Sequence, residues 1–278
     1  KLIINKVNIN NQISNNMPEG PECHYAGYRL EKALQNNKIT AFNIHGGRYE
    51  THGPFDGFDQ LQKDIEQNNH TVKAVGCRGK LIVIFFDNDM CLLSTLGLKG
   101  SWTTRHAKHC DVSLTVNNSV TIWFKDQMHY GTLKYVTLQE AIDKMQSLGP
   151  DVTVSDPAFT YSYFCGIITR YKRWDLAKLL MDQSKISGIG NYLKAEILYR
   201  AKLPPTLLCS EISPAGTSRL YDAIIDIPKQ YFQQHLGKTN IRMQVYGRSK
   251  DRLGYNVERC KTKDGRTSHW VPAIQTLS

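Results

Sequence analysis

The chain has 278 residues, 41% hydrophobic and 22% charged, with 35 Lys+Arg against 25 Asp+Glu and a formal net charge of +10. This length suits about two domains of roughly 150 residues, each able to bury a core, and the composition excludes a disordered chain. The longest apolar run, Leu81-Ile-Val-Ile-Phe-Phe86, is strand-sized and excludes a membrane span, which needs about 18 such residues.

Residues 1–16 hold six Asn and two Lys and read as an N-terminal extension, without the apolar block and small-residue cleavage site of a signal peptide. Residues 17–147 are mainly strand-like. The apolar spacing of Tyr25, Tyr28, Leu30, Ala33 and Leu34 predicts one helix over 21–36. Short runs follow at 39–44, 72–77, 80–87, 90–95, 111–116, 119–125 and 131–136, two of them facing each other across the hairpin turn Asn117-Asn118. Many short strands with few helices predict a sandwich or barrel. Leu148-Gly-Pro-Asp-Val152 is turn chemistry and opens an interdomain linker over 148–157. Helical periodicity then covers 158–168, 175–181, 191–201 and 214–235 within a domain spanning 158–237. The remainder, 238–278, carries turn residues and aromatics and reads as an irregular hairpin over 243–274. The seven Cys are odd in number and the closest pair, Cys77 and Cys91, is 14 apart, against a disulfide framework or a Cys-x-x-Cys zinc site and in favour of a reducing interior, cytosolic or nuclear.

The excess charge is local. Residues 165–202 hold eight Lys/Arg against three Asp/Glu, and 238–278 hold nine against three, so the other segments together are nearly neutral. Such a surface suits a polyanion, although a solvated basic face made for solubility has the same composition. Met17-Pro-Glu-Gly-Pro-Glu22 is an ordinary helix start on local grounds. If Met17 were removed, Pro18 would present a secondary amine beside the acid Glu19, a nucleophile for a carbonyl-like carbon. Gln183-Ser-Lys-Ile-Ser-Gly-Ile-Gly-Asn191 is a Gly-x-Gly turn between helices, and backbone N–H groups near Gly190 and Asn191 make an anion site at a helix start. Tyr246-Gly-Arg248 and Gly265-Arg-Thr-Ser-His-Trp270 suit phosphate contact or any basic hairpin. Lys80, before a buried strand, is a phosphate contact or a snorkelling surface lysine. His106-Ala-Lys-His-Cys110 lacks a second ligand cluster, and no metal is expected there.

Taken together, these motifs resemble the Fpg/Nei family of bifunctional DNA glycosylases in order and spacing, from Met17 to near the C-terminus. The resemblance rests on the Met17–Glu22 opening, Leu148-Gly-Pro150, the Gly188-Ile-Gly-Asn191 turn followed by Glu196, Val245-Tyr-Gly-Arg248 and Arg266. It implies an α+β fold: an N-terminal β-sandwich domain, then a helical domain with a helix–two-turn–helix motif and a finger hairpin. It implies that Pro18 attacks C1′ of a damaged nucleotide to form an imine, that Glu19 acts as acid, that Glu22 shares the pocket, and that Lys80, Asn191 and Arg266 grip phosphates, with Gly190 and Arg248 at the same surface. The base is flipped out first. Leu98 and Tyr130 are expected to fill the gap, and Met128 or His129 to face the orphaned base.

Departures from the family narrow the reading. Cys260 is alone, and Val271 and Ile274 stand where other members carry a second Cys pair, so the finger is expected to be zincless, without metal or cofactor, and packed through Tyr255, Trp270 and Val271. The short 235–244 stretch favours oxidised pyrimidines and hydantoins over 8-oxoguanine. The implied partner is DNA, single- or double-stranded, with oxidised or abasic sites; the protein is expected to be a monomer away from membranes. The competing classes are a non-catalytic binder of damaged DNA, if residues 1–16 stay attached, and an RNA-associated basic protein, against which the Pro-Glu-Gly-Pro-Glu opening argues.

Overall fold

The computed structural model describes residues 17–67 and 70–276; the expected N-terminal extension lies outside the described residues. The described chain forms two compact units. The first takes in 17–18, Tyr25–Cys77 and 81–143, the second Glu19–His24, Arg78–Lys80 and 144–276. Two short pieces of the N-terminal half thus belong to the second unit, which the linear order of the sequence does not reveal.

Helix α1 (Gly20–Leu34) begins in the second unit and runs on in the first. Then come β1 (Ile39–Ile44), α2 (Arg48–Thr51), α3 (Phe58–Glu66), β2 (Val72–Arg78), β3 (Leu81–Phe86), β4 (Met90–Thr95), β5 (Gly100–Thr103), β6 (Cys110–Val116), β7 (Val120–Asp126), β8 (Thr132–Thr137) and α4 (Leu138–Gln146). The strands make two four-stranded sheets, β1-β6-β7-β5 and β2-β3-β4-β8. Phe42, Leu114, Ile122 and Phe124 line the buried face of the first, in register as Phe42–Leu114 and Leu114–Ile122. The indole N–H of Trp102 on β5 reaches Ser94 of β4 at 3.1 Å, joining the two sheets through the buried layer of a sandwich. The predicted hairpin is present: Asn117 and Asn118 have φ of 49° and 54°, the left-handed pair that Asn tolerates, and Ser119 N–H closes the turn on the Val116 carbonyl at 3.0 Å. The expectation of one helix in this region is corrected to four among the described residues. Helix α4 starts with a capping box, Thr137 N–H to Glu140 at 2.8 Å and Glu140 N–H back to Thr137 at 3.3 Å, a signal present in the sequence. Strand β5 is four residues beginning with Gly, too short for a pattern.

In the second unit, α5 (Tyr161–Arg170), α6 (Leu176–Met181), α7 (Asn191–Ala201) and α8 (Pro214–His235) precede the hairpin β9 (Glu258–Lys261)–β10 (Thr267–Trp270). Thr160, Asp175 and Ser213 cap three of these helices, each accepting the N–H three residues on. Thr160 moves the start of α5 to Tyr161, three residues beyond the predicted boundary. Leu179, Leu180, Ile189, Leu193, Ile197, Leu220 and Ile224 form the core, each fully buried side chain contributing about 1.5–3 kcal/mol. The stretch expected as a linker is packed into this unit: Gly149 N–H donates to Gln183 and Ser187 N–H to Pro150, both at 2.9 Å. Among the described residues no helix is long and apolar enough to cross a membrane.

Candidate active site

Helix α7 is buried around almost its whole circumference and carries two buried charges, Lys194 and Glu196. A helix start in such a place leaves N–H groups without partners. Here Glu19 supplies them. Its Oε2 accepts from Gly190 N–H at 2.8 Å and Leu193 N–H at 3.1 Å, and its Oε1 from Tyr192 N–H at 2.8 Å. Glycine is required at 190 because a Cβ there would lie 2.3 Å from the Glu19 carboxyl carbon. The expectation that these N–H groups face an external phosphate is therefore corrected at Gly190, whose N–H is taken by Glu19. Burial pushes the Glu19 carboxyl up to about 7; Lys80 and the backbone N–H groups of Tyr192 and Leu193 pull it down, and Glu22 adds to the rise. A side chain that is half protonated near neutral pH can act as an acid or a base.

Glu22 sits beside it. One of its oxygens accepts from Glu19 N–H at 3.0 Å, anchoring the backbone next to Pro18. Tyr192 hydroxyl lies 3.0 Å from both oxygens, and His235 Nε2 is 3.0 Å from one. Tyr192 and His235 were not singled out from sequence; Tyr192 follows the Gly-x-Gly-Asn turn directly, whereas His235 carried no signal at all. A second carboxylate, Asp151, holds the turn before β3. It accepts from His24 Nε2 at 2.7 Å, Thr153 N–H at 2.9 Å and the N–H of Gly79, whose φ of 59° is left-handed. Burial alone would raise Asp151, but the His24 hydrogen bond and charge and these N–H groups hold it below its usual value. This fixes Gly79 one residue before Lys80. Glu19, Glu22, Lys80, Gly190 and Asn191 are thus gathered in one unit.

The basic hairpin belongs to that unit too. Asn191 Nδ2 donates to the Thr267 carbonyl at 3.1 Å. Glu196 accepts from Gln244, Val245 and Tyr246 N–H at 2.8, 3.0 and 2.9 Å, gripping the entry to the hairpin; burial raises its pKa against those three bonds. The side chains of Arg248 and Arg266 are exposed. Val271 is fully buried against Val245 and Ala195, with Ile274 alongside, as expected of the hairpin's packing; Tyr255 is 48% exposed and takes no such part. Polar anchors on α7, absent from the sequence reading, hold the hairpin as well. The sole Cys of the hairpin, Cys260, does not fit a zinc site, and among the described residues no group of three or more His, Cys, Asp or Glu is gathered for a metal.

In the first unit, the loop carrying Leu98 meets the loop carrying Tyr130: a Cβ on Gly97 would lie 2.5 Å from the Tyr130 carbonyl carbon. Leu98 is half-buried, Tyr130 is 60% exposed and Met128 is exposed. His129 is turned to Asp111, 3.3 Å away. Pro18 is joined to Glu19 through the chain.

A family model described as the formamidopyrimidine-DNA glycosylase N-terminal domain matches residues 17–133, and one described as that glycosylase's H2TH domain matches 148–243. The protein called Endonuclease 8 in Pectobacterium carotovorum is 26% identical over 278 residues, covering 93% of this chain and 100% of its own. That of Shigella dysenteriae is 28% identical over 285 residues, with the same coverage. The crystal structure of Lactococcus lactis formamidopyrimidine-DNA glycosylase, bound non-covalently to DNA containing an abasic site, has the same fold. It aligns with a TM-score of 0.80 and 23% identity over 93% of this chain and 99% of that one.

Proposed function

The chain belongs to the formamidopyrimidine-DNA glycosylase family, and on that premise we propose that it is a bifunctional DNA glycosylase and AP lyase acting on oxidised bases. The observation that carries this reading is Glu19: a buried carboxyl whose pKa lies at about 7, bonded to the start of α7 and covalently next to Pro18. In the active form Pro18 is N-terminal, and its neutral amine attacks C1′ of the flipped-out nucleotide. Glu19 Oε1, which accepts a single backbone N–H, has a lone pair left to carry the proton it gives to the sugar. The glycosidic bond breaks and the base leaves with the bonding pair; the Pro18 nitrogen gives up its proton, the C1′–O4′ bond opens with O4′ taking the Glu19 proton, and a positively charged imine joins C1′ to Pro18. The imine acidifies C2′–H; loss of that proton expels the 3′ phosphate, and a further elimination expels the 5′ phosphate. Glu22 and Tyr192 hold the Pro18–Glu19 backbone in place. Lys80, Asn191, Arg248 and Arg266 contact phosphates, Gly190 makes room for the acid, and Leu98 and Tyr130 fill the gap left by the flipped nucleotide. The β9–β10 hairpin serves as a zincless finger, with no metal and no cofactor in the reaction.

The test is covalent trapping. Borohydride should reduce the imine between abasic DNA and a form beginning at Pro18; Pro18→Gly should retain part of the trapping, since a Gly amine still attacks. One feature favours a second reading: in the 278-residue sequence Met17 acylates the Pro18 nitrogen. A chain that keeps this bond has no nucleophilic amine there and would be a non-catalytic binder of damaged DNA. Intact mass measured on each preparation decides between them. If a species retaining residues 1–16 were trapped as efficiently as the shortened one, Pro18 would not be the nucleophile.

A further inference from the structure

We propose that the buried ion pair Lys194–Asp264 is a staple that seats the 262–266 turn of the hairpin on α7 and thereby aims Arg266 at a DNA phosphate; both are positioning residues. The proposal rests on Arg266 being a phosphate contact, as read above.

Lys194 is fully buried in the first turn of α7, where an ammonium group persists only with a partner. Its Nζ lies 2.7 Å from Asp264 Oδ2, and the Asp264 side chain is only 5% exposed. The other oxygen, Oδ1, accepts from the Thr262 hydroxyl and, at 3.1 Å, from Arg266 N–H. One carboxylate therefore joins the helix to the backbone of the residue whose side chain projects outward. The Arg266 carbonyl closes the turn by accepting from Thr262 N–H at 3.2 Å, and Lys263 N–H is held by Asp175, the cap of α6, at 2.9 Å. The turn is pinned on both sides while the Arg266 guanidinium stays exposed. Burial would raise the Asp264 carboxyl, but the Lys194 and Thr262 hydrogen bonds hold it below its usual value; burial lowers the Lys194 ammonium, and the hydrogen bond and charge of Asp264 work against that fall. Out of reach of mobile ions, the pair is screened little by salt, unlike the phosphate contact it supports. Lys194 also follows Tyr192 and Leu193, whose N–H groups hold Glu19, so one helix turn registers both the acid and the phosphate grip.

An apolar pair of similar volume can replace a buried ion pair without loss of fold, yet it cannot bond to Arg266 N–H or to Thr262. The test is a double-mutant cycle on the full chain, binding a duplex with a tetrahydrofuran abasic analogue at a series of salt concentrations. Arg266→Ala should lower the salt slope of the parent chain by about 1. In a Lys194→Met/Asp264→Leu background with an unchanged melting temperature, Arg266→Ala should produce no further change, and Lys194→Arg should retain the full Arg266 effect. An equal Arg266→Ala effect in both backgrounds would overturn the staple while leaving the phosphate contact standing. No Arg266→Ala effect in the parent would overturn the contact and the staple with it. Should the double variant fail to fold, Asp264→Asn runs the same cycle with the same expected and opposing outcomes.

Discussion

Glu19 combines two opposing environments: three backbone N–H groups that favour a carboxylate and complete burial that disfavours one. Burial wins, and the pKa rises from 4.5 to about 7. The sign of the linkage follows. Between these two values the folded chain keeps a proton that the unfolded chain has lost, so stability falls as pH rises through this window and levels off above it. At about 1.4 kcal/mol per pH unit the loss is on the order of 3 kcal/mol. Glu19→Gln has no such titration, so urea unfolding at pH 5 and pH 8 should show a smaller pH-dependent loss in the variant, by roughly 2–3 kcal/mol. An equal loss in both would place the titration elsewhere. The same ionisation governs chemistry: base excision should decline above about pH 7, while cleavage of a pre-formed abasic site, which needs no acid for base departure, should decline less.

At the scale of the element, α7 is the frame of the site. Its N–H groups take Glu19, Asn191 holds Thr267, Lys194 holds Asp264, and Glu196 holds the backbone at 244–246. Glu196→Gln leaves three donors to share one carbonyl oxygen in a buried place, which should lower stability by about 1–3 kcal/mol. Hydrogen exchange at Gln244–Tyr246 should quicken first, because those amides lose their acceptor; unchanged protection there would show that the hairpin entry is held by Val245 and Val271 alone. Gly190→Ala drives a methyl into the Glu19 carboxyl group. It should cost base excision far more than DNA affinity, as measured by single-turnover rates beside equilibrium binding. Elements with a clean signal were legible: α7 and α8 have the predicted limits, and the Asn117-Asn118 hairpin is where turn chemistry put it.

At the scale of the molecule, both basic segments lie in the second unit, together with the carboxylates of the site. The stretch between α8 and the hairpin is tied at both ends. Lys238 N–H donates to Gln233, the Thr239 hydroxyl to Gln230 at 3.0 Å, and Gln244 N–H to Glu196 at 2.8 Å. The residues between these anchors, 240–243, are too few to close over a flipped purine. We therefore predict faster excision of thymine glycol than of 8-oxoguanine from matched duplexes; the reverse order would refute the argument from loop length.

What the sequence determined by itself is local or periodic: strands, the helices of the C-terminal half, the hairpin turn, the basic segments, and the motif order that led to the family. Those features are encoded within a few residues or by spacing along one element. The tertiary structure alone decided that Glu19 and Glu22 are held by Tyr192, His235 and the start of α7, that Asp151 fixes the turn before Lys80, and that Lys194 and Glu196 point to the hairpin. Each of these pairs joins residues about 50 to 200 positions apart. Such pairings follow from burial: a charge or N–H group withdrawn from water must find a partner in space, and no local pattern records which partner the folding chain brings to it.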